Sequence, residues 1–230
     1  MIIQIYAFTD IEQAQQAARM GVHQIGFVAG DYGVVPGEMS FEDARELVIS
    51  LPSIAHSVAL TMATDINEIL HMVHHVQPNI VHISTDVYDV DVEALTILRN
   101  RLSPSVQLMK AIPVQNEGSV ALAEEFAPIC DYLLLDTKVT GMPGVGATGE
   151  THDWQLSKRI VESVDIPVIL AGGLDPDNVV DAIRAVGPAG VDSNTATNIS
   201  GSSVEKDMRR VKQFVNSVRH FINKTVKSDG

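Results

Sequence analysis

An alternation constrains this chain more than any single motif. Short runs rich in β-branched residues recur at 2–8, 23–28, 56–62, 79–84, 106–112, 131–136, 167–171 and 190–193. Between them, apolar residues return three and four apart, as on a helix with one buried face. Ile11, Ala14, Ala17 and Ala18 show this in the first interval, and Ile66, Ile69, Leu70, Val73 and Val76 in the third. Thr9 with Glu12 and Ser40 with Asp43 predict helix starts, where a side-chain oxygen meets free backbone N–H groups. Gly21, Gln77-Pro78, Ser103-Pro104 and Gly187-Pro188 predict helix ends. Eight strand–helix units with no break in composition predict a parallel sheet closed into one (β/α)8 TIM barrel, a single α/β domain over residues 1–230. An open doubly wound sheet is the alternative, and it would use fewer units over this length.

The connections are unequal. Helix-to-strand links such as Gly21-Val22 and Asp165-Ile166 are short, whereas the strand-to-helix links at 29–39, 137–152 and 194–202 are long. In a barrel these long loops all emerge at the C-terminal face, where ligands bind.

Composition narrows the partners. With 16 basic against 29 acidic residues the net charge is −13, which disfavours a nucleic-acid or membrane-surface partner. The single cysteine, Cys130, excludes an intrachain disulfide and a multi-cysteine zinc site. It begins the sixth predicted strand, away from the ligand face, and reads as a packing residue. His71 and His75 are one helical turn apart, but their helix should coat the barrel exterior and no third ligand is evident. The N-terminus reaches Asp10 and Glu12 without a basic lead, and no apolar run approaches a membrane span. A soluble cytoplasmic protein is therefore expected, with no metal and no cofactor. Residues 205–227 read as a last amphipathic helix, with a disordered tail expected over about 224–230.

Strand parity sorts the polar candidates, because outward side chains meet helices while inward ones near the C-terminal end can be polar. Gln4 and Tyr6 are then inward in the first strand, His82 and Ser84 in the fourth, and Tyr132, Leu134 and Asp136 in the sixth. Lys110, between Met109 and Ala111, is also expected inward. Gly172 and Gly173 follow the seventh strand, where backbone N–H groups and the next helix can receive an anion. Asn194, Thr195 and Ala196, after the eighth strand, supply further donors beside them, the usual phosphate position in this architecture.

These residues resemble a family. LLLDT (133–137), GATGETHDW (146–154), PVILAGGLDPDNVVDAI (167–183) and GVD (190–192) with Lys206-Asp207 are similar to phosphoribosylanthranilate isomerase of tryptophan biosynthesis. QIGFV (24–28) and KAIPV (110–114) extend the likeness over nearly the whole chain. The resemblance implies an Amadori rearrangement of an aminoaldose phosphate to an aminoketose phosphate, an intramolecular oxidoreduction. Asp136 matches the family's general acid, and Gly172, Gly173 and Asn194–Thr195–Ala196 match its phosphate site. Tyr6 and His82 are the candidate partners in proton transfer. Gln4, Lys110 and Gly149 join the expected substrate contacts, and the partner implied is a phosphorylated small molecule.

The chain also departs from the pattern. The family reads K-x-C-G-x-T in the first strand, and here Gln4 replaces the lysine and Tyr6 the cysteine. Residues 29–39 contain no basic side chain where the family carries an arginine for the anthranilate carboxylate, and Ser-Ser-Gly becomes Asn194-Thr195-Ala196. A phenol is a poorer base source than a thiol at neutral pH, with reference pKa values of about 10 and about 8.5. Slow or absent turnover of phosphoribosylanthranilate is therefore expected. An alternative is a member without that activity, which acts on another phosphosugar or binds a phosphorylated ligand or protein partner.

Overall fold

Parallel pairing runs around a closed ring in the computed structural model, which describes residues 1–137, 144–145 and 151–228, with side chains through residue 225. The strands are β1 (Ile2–Ile5), β2 (Gln24–Ala29), β3 (Glu38–Met39), β4 (His56–Thr61), β5 (Ile80–Ile83), β6 (Gln107–Pro113), β7 (Tyr132–Asp136), β8 (Val168–Leu170) and β9 (Gly190–Ser193). Their order is β1-β9-β8-β7-β6-β5-β4-β2, and β1 pairs with β2 to close the barrel. The two-residue β3 pairs with the end of β2 and lies outside the ring. The helices are α1 (Ile11–Met20), α2 (Phe41–Ser50), α3 (Ile66–Val76), α4 (Val92–Arg101), α5 (Gly118–Phe126), α6 (Trp154–Ser163), α7 (Val179–Val186) and α8 (Met208–Ser228). The fold is the (β/α)8 barrel that the alternation predicts.

Two apolar layers hold it. Ile3, Ile5, Val81, Ile83, Leu133 and Leu135 face the helices and pack with their buried stripes, such as Ile69, Met72 and Val76 of α3. Val28, Val58, Ile80, Met109, Leu134 and Ile169 fill the barrel interior. Most predicted caps hold: Ser40 accepts the N–H of Asp43, and Gly21, Gln77 and Gly187 end their helices in the left-handed region. Asp10, and not Thr9, caps α1 by accepting the N–H of Gln13 at 2.8 Å. The last helix begins at Met208 because Lys206 is drawn into a bridge with Asn198, and it runs to Ser228. No proline or glycine interrupts that segment.

Lys110 is a correction. Its strand neighbours are apolar on both sides, so alternation does not orient it. Register does: Lys110 pairs with Ile83, which faces the helices, while Met109 pairs with the inward His82. The Lys110 ammonium lies behind the barrel wall, 5.8 Å from the centre of the Phe126 ring, and donates to the Thr85 carbonyl at 2.7 Å.

Candidate active site

Two adjoining cavities open at the C-terminal end of the barrel, of about 310 and about 190 Å³, and both are lined by Asp136, Asp192, Asn194 and Thr195. The larger is chemically divided. Tyr6, His82, Asp136 and Asp192 supply its polar lining, and Val34, Val35, Pro36, Leu60 and Met62 its apolar lining. The smaller is bounded by Gly172, Gly173 and the turn at Asn194, Thr195 and Ala196.

Tyr6 and His82 form a buried pair, with Tyr6 Oη 2.9 Å from His82 Nδ1. The Tyr6 ring fits because residue 26 is glycine, since a Cβ there would overlap the ring. Burial, and secondarily the charge of Asp192, pushes the Tyr6 phenol well above its ordinary value. Burial, with the Lys110 charge as a lesser cause, lowers His82 to about 3. Near neutral pH the phenol therefore keeps its proton and the neutral imidazole is only weakly basic, which disfavours either as the base.

The carboxyls are different. Asp136 ends β7 half-buried and accepts the N–H of Thr137 at 2.7 Å. Burial raises it to about 7 against the opposing pull of that hydrogen bond. Asp192, 6% exposed in β9, accepts from Gln4 Nε2 at 3.1 Å. Burial, then the charge of Asp136, raises it to about 8, while Gln4 and Lys206 act in the opposite sense. Near neutral pH Asp192 thus mostly keeps its proton while Asp136 lies close to its midpoint.

In the smaller cavity, Gly172 and Gly173 have φ of 81° and 61°, a region that favours glycine. Their N–H groups find no acceptor among the described residues. The side of Gly172 on which a Cβ would stand is filled. A Cβ would come within 2.8 Å of both His152 Nδ1 and Thr137 Oγ1. The opposite wall is rigidly built. Asn194 Oδ1 accepts the N–H of Ala7 at 3.0 Å, and the buried Lys206 ammonium donates to Asn194 O and Oδ1, both at 3.2 Å, and to Asn198 Oδ1.

The fold therefore gathers Asp136, Tyr6, His82, Gly172, Gly173, Asn194, Thr195 and Ala196 at one mouth, with Gln4 behind Asp192. Lys110 is excluded, and Gly149 lies outside the described residues. His71 and His75 lie side by side on the outer helix, with ring centres 4.1 Å apart and the rings tilted by 50°. Asp192 was not among the residues chosen from sequence. The parity that places Asp136 inward also applies to GVD, where Val191 faces the helices and Asp192 the lumen.

The site can be set beside known proteins. Residues 3–217 match the sequence model of the family described as N-(5'phosphoribosyl)anthranilate (PRA) isomerase. N-(5'-phosphoribosyl)anthranilate isomerase of Haloferax volcanii is 32% identical over 213 residues, covering 93% of this chain and 90% of the relative. Isomerase 1 of Methanosarcina mazei is 31% identical over 228 residues, covering 94% of each. The crystal structure of phosphoribosyl anthranilate isomerase from Thermotoga maritima superposes with a TM-score of 0.80 at 26% identity, covering 96% of this chain and 100% of that one. With the barrel closed, the acid of the LLLDT strand at the mouth and the match extending over nearly the whole length, this chain belongs to the phosphoribosylanthranilate isomerase family.

Proposed function

We propose that the chain is an aldose–ketose isomerase that performs an Amadori-type rearrangement on a phosphorylated, N-substituted aminoaldose, with phosphoribosylanthranilate as the substrate its relatives' names point to. The observation that carries this reading is the pair of carboxyls, Asp136 and Asp192, lining one cavity beside a glycine turn whose N–H groups find no acceptor among the described residues. The family match favours catalysis over the phospholigand-binding barrel left open by the departures at Gln4, Tyr6 and residues 29–39.

The chemistry needs an acid at the ring oxygen and a base at the sugar's second carbon. The Asp136 carboxyl gives its proton to the ring oxygen. The bond from that oxygen to the first carbon breaks, and the nitrogen lone pair forms a carbon–nitrogen double bond. In the minority one-proton form whose proton sits on Asp136, the Asp192 carboxylate, the more basic of the two and held by Gln4, removes the proton on the second carbon, and the released electron pair forms an enolamine that tautomerises to the ketone. Tyr6 and His82 act as a neutral hydrogen-bonding pair that orients a sugar hydroxyl. Gly172, Gly173, Thr195 and Ala196 hold the phosphate, with the ammonium of Lys206 beneath the turn.

Steady-state fluorescence with phosphoribosylanthranilate tests the assignment. Asp136→Asn and Asp192→Asn should each lower kcat by ~10² to 10⁴, the usual cost of a positioned acid or base, whereas Tyr6→Phe should cost about 10-fold or less. Absence of turnover by the native chain, or full activity in Asp136→Asn, overturns the reading.

A further inference from the structure

The loop after β2 is fastened from within. One carboxylate, that of Glu38, accepts the N–H of Gly33 at 2.7 Å and those of Val34 and Val35 at 3.0 and 2.9 Å. Three successive amides turned towards one anion form a backbone nest. Burial alone would raise the Glu38 carboxyl, but the N–H groups of Val35, Val34, Gly33 and Tyr32 together bring it below its ordinary value. Two further ties hold the same loop. Tyr32 Oη lies 2.6 Å from Thr61 Oγ1 at the end of β4, and Gly37 sits so close to Val204 that a Cβ would lie 3.0 Å from its side chain.

The loop backbone does not hold this shape unaided. Gly30, Gly33 and Gly37 all adopt positive φ, at 136°, 67° and 80°, and glycine gives a chain many alternatives. What the clasp positions is the lip formed by Val34, Val35 and Pro36, which lines the large cavity together with Tyr6 and His82.

We propose that Glu38 is a positioning residue: its carboxylate gathers the amides of residues 33–35 and so sets the apolar lip that closes the substrate cavity. The kinetic part of this inference rests on the isomerase reading, and the mechanical part does not. Glu38 itself does not line the cavity, so its effect on substrate passes through the lip.

The test compares the full-length native chain with Glu38→Gln and Glu38→Asp. Amide hydrogen exchange is followed by NMR in the absence of substrate, and kcat and KM are measured with phosphoribosylanthranilate. In Glu38→Gln, exchange at Gly33, Val34 and Val35 should accelerate by about 10-fold or more, the order expected for losing a charge-assisted hydrogen bond. KM should rise by a similar factor, with kcat within about 3-fold and exchange in the barrel strands unchanged. Glu38→Asp keeps the charge and should lie between the two. Unchanged exchange at the three amides overturns the clasp, and faster exchange with unchanged KM overturns its role in positioning. An inactive native chain refutes the isomerase reading alone, because the exchange measurement still decides whether Glu38 holds the lip.

Discussion

Asp136 ends β7 and Asp192 lies in β9, with β8 between them, and burial lifts both carboxyls to about 7 and about 8. If the productive form carries one proton across the pair, kcat/KM should rise with pH through about 7 and fall through about 8. A pH–rate profile that stays flat from pH 6 to 9 would remove the pair from proton transfer. The same shifts affect stability. The folded-state value of Asp192 stands above its unfolded value of 3.8, so its contribution is fully present below about pH 4 and is lost as pH rises through about 8. Asp192→Asn removes that penalty. Its Tm relative to the native protein should therefore be higher at pH 9 than at pH 5, as scanning calorimetry at the two pH values would reveal.

At the scale of elements, function depends on how strand ends hand over to loops. The turn after β8 needs glycine at 172 twice over, for its φ of 81° and for the His152 and Thr137 side chains packed against it. Gly172→Asp would add strain, a clash and a negative charge beside the proposed phosphate site. It should abolish binding of ribose 5-phosphate, used as a probe in isothermal titration calorimetry, while the protein still melts cooperatively. Unchanged binding in that variant would place the phosphate elsewhere. The opposite turn is held differently, by Lys206 clamping Asn194 and Asn198, so the two halves of the cradle rely on backbone conformation and on a buried cation respectively.

The whole molecule is secured by its closure. β1 pairs with both β2 and β9, so the N-terminal strand completes a ring whose other members come from the rest of the chain. The C-terminal α8 covers this seam and packs on α1 and α7, burying Val211, Phe214, Val215 and Val218. Phe214→Ala should cost ~3 to 5 kcal/mol, a large share of the ~5 to 15 kcal/mol that stabilises an ordinary domain. Urea denaturation measures this directly. A loss below about 1 kcal/mol would mean that the seam is held by β1 pairing and not by the helix above it. No helix among the described residues is long and apolar enough to cross a membrane.

The architecture was legible in the sequence because its signals are local. Eight repeats of two hydrophobic periods, caps such as Ser40 and Gly187, and the LLLDT and AGGLDPDNV segments each lie within a few residues of the feature they specify. Parity also located Tyr6, His82 and Asp136 correctly at the mouth. It failed for Lys110, because a parallel strand buried on both faces loses its polar–apolar alternation, and the pairing of Lys110 with Ile83 decided the matter instead. The remaining features of the site depend on contacts between distant segments. Asp192 acquires its elevated pKa from burial and from Asp136, which lies 56 positions earlier in the chain, and Gly172 is required by a histidine 20 positions away. A sequence states which groups are present and how each segment prefers to fold. Desolvation, charge coupling and the packing around a glycine exist only once the closed barrel has brought those segments together.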